Sequence, residues 1–175
     1  MNFNFSNCLA VILESEGAYV VDQGGPTNLG VTQRALSAWY GRAATVAEVQ
    51  ALTASSVAPL YQQDYWVPAQ CGNLLPGVDL MVFDEAVNEG VGRAVRHLQQ
   101  VIGVAADGVF GPVTVAALAT AQAPQGAAQA LIQRLHDENA SYYASLAAEF
   151  LQDEAGWRAR NDRTVAAALK MVQAP

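Results

Sequence analysis

The chain is short of charge, of lysine, of cysteine and of long apolar runs, and each shortage closes off a class of function. Charged residues are only 14% of the 175 positions, and Lys170 is the single lysine. Nine cations face sixteen carboxylates, a balance of −7. With no basic run, the sequence lacks what meets phosphates by charge, so no nucleic-acid partner is expected. The polybasic segments that hold proteins to anionic membranes are absent too. No apolar stretch reaches the roughly 20 residues that span a bilayer, so stable membrane insertion is not expected. The apolar stretch Cys8–Leu13 has no cationic leader and runs into Glu14 and Glu16, which predicts no secretory signal and synthesis in the cytoplasm. Cys8 and Cys71 are too few for a disulfide framework and read as buried thiols of a reducing compartment. His97 and His136, without H-E-x-x-H or C-x-x-C, do not suggest a zinc site, and no metal or cofactor is expected.

What is present is apolar and helix-forming. Hydrophobic residues reach 52%, which argues against disorder, and alanine occurs 33 times, which favours helix. Helix signals recur, separated by glycine and proline. The spacing predicts helices over about 4–16, 33–40, 56–66, 80–89, 92–102, 112–121, 126–150 and 164–172, with a short one opening at Thr45. Thr32 reads as an N-cap, Thr45 with Glu48 as a capping box, and Pro112 as a helix-opening residue. The loop around Gly24-Gly25-Pro26 is the place for any β structure. The segment Trp66–Gly77, with two prolines and two glycines, reads as a connector between two lobes.

The informative stretch is Glu14 to Thr32. Phe5, Leu9 and Ile12 form one stripe of the first helix, and Glu16 is the next position on it. Glu14 is turned about 200° away and should face water. A carboxyl held against apolar surface keeps its proton to higher pH than one in water. A general acid for glycosidic cleavage needs that property. The plainer alternative has Glu16 capping a neighbour or pairing with an arginine such as Arg34. Asp22 and Thr27 follow within eleven residues, interleaved with Gly24, Gly25 and Gly30, which let the chain fold back towards the helix end. A carboxylic acid, a second carboxylate and a hydroxyl around one cleft can cleave a sugar linkage. The competing reading makes Asp22 a turn residue and Thr27 a strand or turn hydroxyl.

Glu16-Gly17-Ala18-Tyr19, then Gly24-Gly25-Pro26-Thr27-Asn28-Leu29-Gly30-Val31-Thr32, resembles the signature of glycoside hydrolase family 108. That family, of phage-type endolysins and secretion-activator muramidases, carries E-G-G-Y followed by G-G-x-T-x-x-G-I-T. Tyr61, Tyr65 and Trp66 resemble its Y-x-x-x-Y-W element, and Phe83–Gly90 its F-D-x-A-V-N-x-G element. Leu98-Gln99 with Asp107–Thr114 resembles the L-Q…D-G-x-x-G-P-x-T run of its accompanying peptidoglycan-binding module. Gly156-Trp157 with Arg158 or Arg160 resembles G-W-x-x-R. The chain departs from the pattern at Ala18, where the family has glycine, and in a shorter loop between Tyr19 and Gly24.

The resemblance implies a mainly α, lysozyme-like two-lobed fold with at most a small β-hairpin near residues 18–32. It implies a catalytic lobe over 1–70 and a helical lobe with the peptidoglycan-binding-like motif over 71–175. The implied activity is an N-acetylmuramidase hydrolysing the bond between N-acetylmuramic acid and N-acetylglucosamine. Glu16 takes the family's catalytic position, with Asp22 and Thr27 as partners. Tyr19, Asn28, Tyr61, Trp66, Asp84 and Asn88 are the expected substrate-binding residues, although tyrosine and tryptophan at helical spacing also suit a core and asparagine also suits caps and turns. Asp84 and Glu85 share one helix, and either could face the cleft. The DGVFGPVT loop reads as structural before glycan-binding. The expected partner is bacterial peptidoglycan glycan strands, reached by a monomer through a holin or a secretion system. A non-catalytic wall-binding or secretion-assisting protein and a lytic transglycosylase are the alternatives.

Overall fold

The computed structural model describes residues 4–17, 19–22, 24–146 and 154–173. Among them are nine α-helices and one three-stranded antiparallel sheet. The chain divides into two compact units, Met1–Asp64 and Tyr65–Pro175.

The first unit opens with α1 (Phe5–Glu16), whose buried residues are Phe5, Cys8, Leu9, Ile12 and Leu13, while Glu14 is exposed. Gly17, at φ +78°, ends it in a conformation that L side chains resist. Strands β1 (Val20–Asp22), β2 (Gly25–Asn28) and β3 (Val31–Thr32) follow. The expected hairpin is thus a three-stranded meander. Leu29-Gly30 adds a second two-residue turn that the hairpin expectation did not contain. Thr32 accepts from the Ala35 amide at 3.1 Å and starts α2 (Gln33–Tyr40). The Thr45–Glu48 capping box opens α3 (Val46–Gln50), and Thr53 caps α4 (Ala54–Tyr61). A π-helical turn, Gln62–Trp66, then continues α4 where a single helix was expected.

In the second unit, α5 (Val78–Glu89) is buried on nearly every side from Val78 to Ala86. A helix buried on nearly every face belongs in the middle of its layer, and α6 (Val91–Ile102), α8 (Ala127–Leu146) and α9 (Glu154–Gln173) all pack on α5. Its buried acids each have partners. Asp79 accepts from the Gly77 and Leu80 amides at 2.8 Å. Asp84 receives Nη2 of Arg160 at 2.9 Å, Nε at 3.1 Å and the Thr164 hydroxyl at 3.2 Å. Glu85 pairs with His97, and Asn139, with its amide nitrogen turned inward, donates to both Glu85 oxygens at 3.1 Å. The last helix begins at Glu154, well before the expected 164, since Arg160 and Asn161 are tertiary anchors that periodicity does not announce. Asn161 donates to the His136 carbonyl at 3.1 Å. The expected end of α8, residues 147–150, lies outside the described residues.

The loop before α7 (Pro112–Gln122) is held by one buried amide. Gln99 donates to Asp107 at 2.7 Å, to the Val109 carbonyl at 3.0 Å and to Thr114 at 3.0 Å, and accepts from the Gly108 amide at 2.8 Å. Cys8 and Cys71 are buried and not joined to each other, and burial pushes the Cys71 thiol pKa up. Among the described residues no helix is long and apolar enough to cross a membrane.

Two predictions follow from the second unit's polar core. Asp84→Ala takes the carboxylate from the half-buried Arg160 guanidinium and should cost about 1.5–3 kcal/mol in urea denaturation, with part regained in a double variant that also carries Arg160→Leu. The second concerns pH. Burial raises the Glu85 pKa, and the His97 hydrogen bond and charge only partly oppose it. Burial also works against charge on His97, but the Glu85 hydrogen bond and charge outweigh it and its pKa stands raised. A group with a raised folded-state pKa stabilises fully below its unfolded value and loses that contribution as pH rises through the folded one. The Glu85 contribution should therefore be lost as pH climbs above about 4.3 and the His97 contribution as it climbs above about 6.5, and His97→Gln should flatten the decline in denaturant stability above about 6.5.

Candidate active site

In the first unit, the residue expected to carry the chemistry sits where helix, sheet and turn converge. The apolar stripe of α1 docks against α4 and brings Glu16 to the helix end, half-buried. The chain then turns at Gly17, and the sheet returns it. Strand register pairs Val20 with Thr27, Asp22 with Gly25 and Asn28 with Val31. That last pair leaves Leu29 and Gly30 as a two-residue loop. Both have positive φ, +49° and +73°, as in the primed turns that suit strand twist.

This turn lies directly on the acid. A Cβ placed on Gly30 would come within 2.9 Å of Oε2 and 3.1 Å of Cγ of Glu16, and would overlap the Tyr61 hydroxyl. Only glycine lets the turn approach so closely. The Tyr61 hydroxyl donates to the Leu29 carbonyl at 3.0 Å. A leucine in the left-handed region is strained by about 1–2 kcal/mol, and this hydrogen bond from α4 helps hold it. Glu16, Gly30 and Tyr61 thus form one packed group.

The other expected residues of this unit fall as follows. Thr27 is half-buried on the central strand, between Val20 and Thr32. The Asp22 backbone ends β1, but its side chain lies outside the described residues. Tyr19 is half-buried just before β1. Asn28 is buried, and its amide donates to the Val49 and Gln50 carbonyls at 3.0 and 3.2 Å. That side chain fastens the sheet to the end of α3, so its amide nitrogen is already engaged. Tyr61 is 2% exposed and offers its hydroxyl to the turn instead of a ring face to solvent.

In the second unit, Trp66 is also 2% exposed and meets Phe83 edge-on at 5.1 Å between centroids. Its ring is core packing, not an open platform for a sugar. Asp84, with Arg160 and Thr164, joins α5 to α9, and Glu85 is buried against His97. Neither acid of that pair is open to solvent. The Asn88 amide donates to the Asp84 carbonyl one turn back at 2.7 Å. Among the described residues, no cluster of three or more His, Cys, Asp or Glu is placed to hold a metal ion.

Sequence reasoning gave no role to Trp39. It is half-buried on α2 and lines a depression of about 460 Å³ in the first unit with Ala35, Ala38, Gln63 and Asp64. The signal was available, because the small neighbours Ala35 and Ala38 leave the indole uncovered on that helix.

The sequence matches the family model described as Glycosyl hydrolase 108 over residues 9–90, which contains Glu16, the meander and Tyr61. It matches a second model, Predicted Peptidoglycan domain, over residues 93–162. A solved structure titled "Structure of Brucella abortus SagA" superposes with a TM-score of 0.80 at 35% identity, covering 98% of this chain and 97% of that one. No curated protein matches. The turn packed on Glu16 therefore lies in the hydrolase region of a chain that belongs to the glycosyl hydrolase 108 family and carries a predicted peptidoglycan domain behind it.

Proposed function

We propose that this glycosyl hydrolase is a peptidoglycan N-acetylmuramidase in which Glu16 is the general acid. The supporting observation is the packing of its carboxyl against the Gly30 turn and the Tyr61 hydroxyl, at the end of an apolar stripe. A carboxyl confined in this way can be aimed at one atom of a substrate, and positioning is what converts an ordinary acid into a catalyst. Glu16 gives its proton to the glycosidic oxygen as the bond to the muramic acid anomeric carbon breaks. Asp22 takes the role of second carboxylate, stabilising the positive charge that develops on the sugar ring or orienting the attacking water. Thr27, across the sheet from Val20, helps place that water.

Clearing of purified sacculi tests the assignment. Glu16→Gln keeps the shape of the side chain and removes the proton, and the clearing rate should drop by about 10²–10⁴-fold. Wild-type products should end in reducing muramic acid. Anhydromuramic ends would identify a transglycosylase, and equal clearing by the variant would remove Glu16 from the mechanism.

Gly30→Ala tests the packing behind the acid. The new methyl group must displace the Glu16 carboxyl and the Tyr61 hydroxyl from a backbone position that also disfavours it. A stability loss of about 1–3 kcal/mol is expected, together with a fall in clearing rate that persists at temperatures where the variant is fully folded by circular dichroism.

A further inference from the structure

The second unit carries a charged depression that the proposed chemistry does not use. It measures about 390 Å³, lies between α6 and α8, and is lined by Arg93, Arg96, Gln100, Glu138, Ser141 and Tyr142 among others. Only eight arginines occur in the chain, since Lys170 supplies the ninth cation. Two of the eight line this one hollow in a protein of net charge −7.

Both guanidinium groups are held in place by other residues. Arg93 stacks over the Tyr142 ring at 4.4 Å, which fixes it and also covers that face of the aromatic. Arg96 is exposed, but its guanidinium lies against Gly108, where an added Cβ would stand 3.2 Å from Cζ. Asp107 is near Arg96, yet its Oδ1 already accepts from the Val109 amide and the Gln99 side chain. No ion pair engages Arg96 among the described residues. A neutral sugar favours an open ring face, whereas guanidinium pairs favour carboxylates, which they grip bidentately. Glu138 on the opposite helix supplies one negative charge beside the two positive ones, and Ser141 and Gln100 supply neutral polar groups. The set suits a chain that carries carboxylates, amides and an amine together.

We propose that this hollow binds the carboxylate-bearing peptide stem of peptidoglycan. Every residue named lies within the stretch matching the predicted peptidoglycan domain. The inference rests on the reading that the protein acts on peptidoglycan, and it adds that the second unit recognises the peptide instead of the glycan. Arg93 and Arg96 take the carboxylates, Glu138 the amine, and Ser141 and Gln100 the backbone amides of the stem.

The test is a titration of the full chain with synthetic alanyl-γ-glutamyl-lysine, beside the same peptide with its carboxylates converted to carboxamides. No glycosidic bond is present, so the result is independent of whether Glu16 is catalytic. The free acid should bind saturably and the amidated peptide at least about tenfold more weakly, the scale expected when charge-assisted hydrogen bonds are lost. Arg96→Gln and Ser141→Trp alter exposed positions, and each should weaken binding by a similar factor while the circular dichroism spectrum is unchanged. Amide shifts in NMR should cluster at residues 93–100 and 138–145. Equal affinity for both peptides, equal affinity in the variants, acetate competing as well as the peptide, or peptide-free glycan displacing it would each overturn the proposal.

Discussion

A backbone without a side chain is the constraint on which the candidate site depends. Gly30 admits the β2–β3 turn to within van der Waals reach of the Glu16 carboxyl, and every other residue there serves that approach. Gly17 stops α1 so that Glu16 stands at its end. Asn28 ties the sheet to the carbonyls of Val49 and Gln50, so the turn cannot lift away easily. Tyr61 crosses from α4 to hold the Leu29 carbonyl. The energetic logic is that of preorganisation. The left-handed strain at Leu29 is taken up during folding, so the turn beside Glu16 is ordered by the fold itself.

A different principle orders the second unit. Its central helix is buried nearly all round, yet it carries three acids, and a buried charge is tolerated only with partners. Each acid recruits a separate part of the chain: Asp79 the turn before its own helix, Asp84 the last helix through Arg160, and Glu85 both α6 and α8 through His97 and Asn139. These links do little for net stability compared with apolar packing. Their effect is selection, because α9 in any other register would leave Asp84 buried and unpaired. Gln99 does the same for the loop ahead of α7, where four hydrogen bonds from one side chain define the path of Asp107, Gly108 and Val109.

Much of the fold was legible before any coordinates. Caps at Thr32 and Thr45, the Pro112 helix start and the stripe Phe5–Leu9–Ile12–Glu16 are local signals, and they formed as local chemistry demands. Of these, Glu16, Thr32 and Pro112 also belong to the motifs of the family resemblance, which the family models and the SagA likeness bear out. What the sequence concealed is long-range. Helical spacing favours core for Tyr61 and leaves Trp66 nearly even between core and platform, because period and ring chemistry are the same in both and only packing decides. Asp84 and Glu85 could not be told apart by phase, and both proved to be buried, satisfied by residues 76 and 12 positions away. The early start of α9 was hidden for the same reason: its anchor, Arg160, means nothing until Asp84 is opposite it.

The acidic balance, awkward for a protein that meets an anionic wall, looks different once charge is considered locally. At physiological salt, fields fade over about 8 Å, so the sum of −7 acts on a docked ligand only through the groups beside it. Beside Glu16 stand the Gly30 turn and the Tyr61 hydroxyl. Four of the eight arginines have such local settings: Arg160 on Asp84 inside the second unit, Arg42 on Glu48, and Arg93 and Arg96 together beside α8. On the reading proposed above, the two guanidinium groups of that hollow would draw a carboxylate at short range whatever the sum over the chain, because the distant acids that make up the −7 are screened from it.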